Sequence, residues 1–130
     1  MASDLRTTEL PMAQVALVDD NLIEVRIRKD VRIDVTGLLG SMQARREMLP
    51  GGSGCILFMA LGDLDWETAA LQTDFFGEDT DNITAVAVVV NSKVLTMVAN
   101  TYFTLFPVRF PAKIFSEEIE ARQWLSEQGA

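Results

Sequence analysis

The sequence predicts an α/β protein: a mixed β-sheet with flanking helices, in the order β-β-α-β-α-β-α-β-α. Three observations carry this expectation. Cys55–Leu61 and Ala85–Val90 are unbroken apolar runs too short to cross a membrane, and such runs between turn residues read as strands buried on both faces. Asn91-Ser92 stops the second run, and Ser92 is placed to cap a helix reaching about Phe106. Pro107 and Pro111 end that helix before a short strand at Ala112–Phe115, so strand, crossover helix and strand form a βαβ unit with parallel strands.

The other elements follow in chain order. Met1–Met12 is polar, carries Pro11 and has no periodicity, so residues 1–12 are expected to be a loose arm ahead of a single domain over residues 13–128. Gln14–Val18 and Leu22–Arg28 flank the turn Asp19-Asp20-Asn21 and read as a β-hairpin. In the second strand Ile23, Val25 and Ile27 alternate with Glu24, Arg26 and Arg28, which gives one face to the core and one to water. Asp34 is placed to cap a helix over Val35–Leu49, with Leu38, Leu39, Met42 and Leu49 mostly on one side. Arg45 and Arg46 suit its negative end, while Gly37 and Gly40 weaken it by ~1 kcal/mol each relative to alanine.

The run Pro50-Gly51-Gly52-Ser53-Gly54 breaks the chain without being long enough to separate domains. Gly62-Asp63-Leu64-Asp65 turns after the Cys55 strand, and Asp65 is expected to cap a helix from Trp66 to Phe76 closed by Gly77. Ser116 is expected to cap a last helix, Glu117–Gln128, buried through Ala121, Trp124 and Leu125.

Composition narrows the chemistry. At 130 residues the chain can bury roughly two-thirds of its unfolded surface without disulfide or metal. One cysteine, Cys55, and the lack of a signal-like apolar core in MASDLRTTEL favour a reduced, cytoplasmic setting. A net charge of −8 opposes nucleic acid and anionic membranes, although Arg26, Arg28, Lys29 and Arg32 lie close together. Without histidine the commonest general base and metal ligand are missing. Glu78–Asn82 begins like a calcium loop, but position six is Ile83 and position twelve is Val89. No metal or cofactor is expected. The pair Asp63 and Asp65 would serve a hydrolase, yet turn and cap roles explain both, and the expectation is a protein that is not an enzyme.

Two surfaces remain as candidates. Loops leaving the carboxyl ends of parallel strands lie along one edge, where ligands bind in open α/β sheets, and here they offer Asp63, Asp65, Thr68, Asn91, Ser92 and Ser116 to a partner. On the Ser92–Phe106 helix, Val94, Leu95, Val98, Tyr102, Phe103 and Phe106 belong to an apolar arc of roughly 180°, wider than the ~100° that one sheet covers. The excess predicts cover by the N-terminal arm, by a neighbouring helix, or by a second copy in a homodimer.

The segments ITAVAVVVNS, NTYFTLF around Asn100 and FPAKIFSEEIEARQWL, with the hairpin LIEVRIRKDVRIDV, resemble a bacterial family of small STAS/SEC14-like proteins with the fold of SpoIIAA, the anti-sigma-factor antagonist. The resemblance spans about Gln14–Leu125 and is most specific in F-S-x-E-x-x-A-x-x-W-L. It implies a regulatory or protein-binding module or, of the SEC14 kind, a small-molecule or lipid-binding domain with a pocket beside Tyr102, Phe103 and Phe110. True antagonists carry an Asp-Ser phosphoacceptor where this chain reads GDLDWETAA, so Trp66 and Thr68 stand near the expected serine. The arginine common one turn before the family's asparagine is replaced by Thr96-Met97-Val98. Lipid carriage needs a large cavity, and so short a chain is expected to fill its interior with its own side chains.

Overall fold

A computed structural model describes residues 6–49, 52–77 and 80–129. Six strands form one sheet in the order β1(Arg6–Glu9), β2(Ala13–Asp19), β3(Leu22–Ile27), β4(Gly54–Ala60), β5(Ile83–Val90) and β6(Ala112–Phe115). The pairs β1–β2 and β2–β3 are antiparallel, and β3–β4, β4–β5 and β5–β6 are parallel. The expected adjacency of the two apolar runs therefore holds, with Ile56 opposite Val86 and Phe58 opposite Val88.

Each crossover from β3 to β6 steps the same way across the sheet, so right-handedness puts all three on one face. These are α1(Val35–Met48), a 3-10 turn at Thr68–Gln72, and α2(Lys93–Leu105). They cover a core containing Ile23, Val25, Ile56, Val86 and Val88. The last helix, α3(Glu118–Glu127), folds onto the opposite face. There Ala121, Trp124 and Leu125 meet Cys55, Leu57, Met59, Ala85, Ala87 and Val89, and each large aliphatic buried this way contributes ~1.5–3 kcal/mol. The Cys55 thiol is buried in this layer, and burial pushes its pKa up.

The caps of α1 and α2 are those expected. Asp34 Oδ1 accepts from Gly37 N at 2.7 Å, and Ser92 Oγ accepts from Leu95 N at 3.0 Å. Gly37 has a further role, because an added Cβ would fall 2.9 Å from Met12 Cβ and nearer still to its sulfur. Gly37→Ala should therefore lower the melting temperature, the overpacking cost of about 1–3 kcal/mol exceeding the gain in helix propensity. A melting temperature raised by alanine would show that Met12 is free to move.

Three expectations are corrected. The arm expected to be loose contains β1, whose backbone pairs with β2 while Arg28 binds both the Glu9 carboxylate and the Leu10 carbonyl; residues 1–5 lie outside the described residues. The Trp66–Phe76 helix is instead the 3-10 turn Thr68–Gln72. Ile33 N donates to Asp65 O at 2.9 Å and Glu67 N to Ile33 O at 2.7 Å, a bridge that holds Trp66 extended and removes the first turn of the expected helix. At α3 the N-cap is Glu117, without a side-chain bond, and Ser116 is exposed instead of capping.

Candidate functional site

The missing helix between β4 and β5 creates the main feature of the molecule. On the helical face α1 packs chiefly on β2, and α2 packs on β5, β6 and the 3-10 turn. Covering β4 is left to the crossover that follows it, and a five-residue 3-10 turn is too short for the task. An apolar cavity of about 130 Å³ results, with Phe58, Val88, Leu71, Ala99, Tyr102 and Phe103 among its walls. Phe58 stays half-buried in the middle of the sheet, as do Trp66, Leu71, Val98 and Phe103 around it. The expectation of a completely filled interior is thereby corrected.

The roof of the cavity is the segment after the 3-10 turn. Phe75 and Phe76 are buried there against α2, with Phe76 stacked on Phe103 at 6.4 Å and edge-on to Phe110 at 5.5 Å. Phe75 N donates to the Tyr102 hydroxyl at 2.9 Å, and Arg46 of α1 reaches the Phe75 carbonyl at 3.5 Å. Of the pocket trio expected from sequence, Tyr102 and Phe103 line the cavity and Phe110 supports Phe76 from behind.

Burial pushes the Tyr102 phenol up to about 12, helped by the Asp74 charge and opposed by the bond from Phe75 N. A phenol whose pKa rises from 10.0 on folding adds stability that is complete below pH 10 and lost as pH climbs toward 12. Tyr102 is the single tyrosine, so phenolate absorbance reports it alone. Its titration should run well above that of the urea-unfolded chain and coincide with loss of near-ultraviolet dichroism. A midpoint near 10 in the folded protein would contradict the buried latch.

The expected partner edge is only partly assembled. Asn91, Ser92 and Ser116 line an open depression of about 530 Å³ with Lys93, Thr96 and Asn100. Asn91 Oδ1 accepts from Gly62 N at 2.7 Å and so ties the β4 exit to the β5 exit. Ser92 is buried and committed to its cap. Asp63 is exposed in the β4 turn outside the depression; Asp65 faces Arg32 at 3.6 Å, and Thr68 is exposed at the start of the 3-10 turn. The acids around this turn are thus spread along a loop rather than set into a cleft.

The apolar set expected on α2 divides between the core and the surface. Leu95 and Tyr102 are buried in the core, and Val98, Phe103 and Phe106 are partly buried against it. Of the expected six only Val94 is exposed, at 51%, and with Met97 and Leu105, at 61% and 56%, it forms a stripe along the outer side of the helix. Three of the four members of the basic cluster expected near β3 are paired, Arg26 with Glu24 and Glu118, Arg28 with Glu9, and Arg32 with Asp65.

A family model described as a domain of unknown function, DUF7793, matches residues 16–128. The chain belongs to the DUF7793 family. A search of curated proteins returns no match. Among solved structures, an uncharacterized protein of the DUF3478 family from Shewanella loihica PV-4, described as having a SpoIIAA-like fold, superimposes with a TM-score of 0.53. The two are 10% identical, and the match covers 93% of this chain and 91% of that one. At that identity the likeness establishes a SpoIIAA-like fold and no activity.

On this DUF7793 chain the cavity residues that sequence reasoning missed include Phe58, Trp66, Leu71, Phe75, Phe76 and Ala99. A signal was present, since a crossover rich in Thr, Asp and Gly follows a strand with Phe58 at its centre. Glu67 was missed as well; its Oε1 accepts from Val35 N at 3.1 Å and so fastens the start of the 3-10 turn to the start of α1. The Glu78-Asp79 part of the calcium-like stretch lies outside the described residues. Among the described residues no helix is long and apolar enough to cross a membrane.

Proposed function

We propose that this DUF7793 protein is a non-enzymatic binding module that holds a small apolar molecule in the cavity over β4. The supporting observation is an apolar space of about 130 Å³ whose surrounding side chains keep some contact with solvent. A void of that size forfeits packing energy unless something occupies it. Concave, mostly apolar sites with few polar groups are where proteins take small ligands. Native mass spectrometry of the full chain, purified from its native host without detergent, should reveal a carried compound that organic extraction removes. An apo mass in every preparation, together with no thermal shift from any apolar probe, would overturn this reading.

A second reading, a regulatory STAS-like module that works by docking and forms a homodimer, draws on the exposed stripe Val94, Met97 and Leu105. Light scattering at high micromolar concentration should give twice the chain mass, and Met97→Glu should restore the monomer. A monomeric wild type at that concentration would remove the dimer.

A further inference from the structure

We infer that the cavity selects a compact, uncharged ligand, a single aromatic ring or a short branched hydrocarbon group, and rejects anionic amphiphiles such as fatty acids. This rests on the binding reading above and narrows it. Three observations carry it: the size of the cavity, the absence of a charged side chain from its lining, and the charge of its rim.

The volume of about 130 Å³ is slightly below that of an engineered cavity of ~150 Å³ known to stay dry and bind benzene. That leaves room inside for one ring, and most of a long acyl chain would stay outside the space. The walls are apolar side chains together with Trp66 and Tyr102, so no charged group among the described residues lines the space, and the Tyr102 hydroxyl oxygen accepts from Phe75 N. A charged or strongly polar ligand group would lose its water here with little in exchange.

The rim adds discrimination by charge. Residues 62–77, which form the turn and roof, carry Asp63, Asp65, Glu67 and Asp74 and no lysine or arginine. Two of these acids flank Trp66, and Asp74 precedes Phe75, so they lie next in sequence to cavity-lining residues. Two cations come near this segment: Arg46 of α1, directed at the Phe75 carbonyl, and Arg32, 3.6 Å from Asp65, so the acids still outnumber the bases. A carboxylate or phosphate headgroup left at the mouth would therefore meet like charge.

The test uses the full chain and defined probes: toluene and indole as neutral rings, and decanoate as the anionic amphiphile. Ala99 lines the cavity from α2, and leucine has nearly the helix propensity of alanine, so Ala99→Leu should fill the space without weakening the helix. Calorimetric titration should detect toluene and indole binding at least about tenfold more tightly than decanoate. Ala99→Leu should abolish that binding and leave the melting temperature equal or higher. Decanoate binding as well as toluene would overturn the selectivity while leaving the binding reading intact. Neutral rings that bind equally to Ala99→Leu would place the site elsewhere and overturn the inference. If neither toluene nor indole binds the wild type, the inference is overturned, and the binding reading falls with it when every native preparation is also apo.

Discussion

Replacing Phe76 with alanine should destabilise the protein by about 3–5 kcal/mol, the range for removing a buried aromatic side chain. Phe76 is 9% exposed and touches three other rings, at 6.4 Å to Tyr102, 6.4 Å to Phe103 and 5.5 Å to Phe110. Edge and stacked contacts of this kind add ~0.5–1.5 kcal/mol beyond area burial. Collapse is unable to recover much of the loss, because the neighbouring space is already empty and truncation only extends it. The roof is pinned through Phe75 and Phe76, so the same substitution should speed proteolysis within residues 68–77 before global unfolding. Equilibrium urea denaturation and limited proteolysis of the variant measure both effects. A cost below ~1 kcal/mol would mean that the roof does not pack on α2 as described.

How far the sequence reveals this molecule depends on where each element gets its stability. β4 and β5 were legible because burial on both faces keeps polar residues out of Cys55–Ala60 and Ala85–Val90, and short apolar runs between turn residues read as strands. Ser92 was legible because its cap is a local bond to Leu95 N. β1 was not, since Arg-Thr-Thr-Glu pairs through its backbone and carries polar side chains suited to a sheet edge. The segment from Trp66 to Phe76 was misread because its conformation is set by distant groups: Ile33 fixes residues 65–67, and Tyr102 takes the Phe75 amide. Arg45 shows the same limit. Its position near the end of α1 suggests a solvated cation at the helix terminus, yet it is fully buried and donates to Gly52 O at 2.7 Å. The cavity follows from the misread segment, since a predicted helix would have filled it.

On the opposite face, α3 is held by a charge network whose disruption should be equally costly, and only in one direction. Glu24 points to this side of β3 with its side chain 8% exposed, between Arg26 at 3.1 Å and Arg122 of α3. Glu118 joins both arginines, at 2.7 Å to Arg122 and 3.3 Å to Arg26. Arg122→Met alone should cost about 1 kcal/mol, because Arg26 still faces Glu24. Arg26→Met with Arg122→Met leaves a buried carboxylate uncompensated and should cost about 3–5 kcal/mol. Adding Glu24→Leu to that pair should recover most of the loss, since an apolar group can replace a buried ion pair at little cost. The Arg122 guanidinium, with help from Arg26, also holds the Glu118 carboxyl below its ordinary range. Its contribution is therefore present above the carboxylate range and disappears as pH falls through the lowered value. The wild type should lose more stability than the triple variant between pH 5 and pH 3. Urea midpoints measured across that interval decide the matter, and parallel curves would show that α3 is held by Ala121 and Leu125 alone.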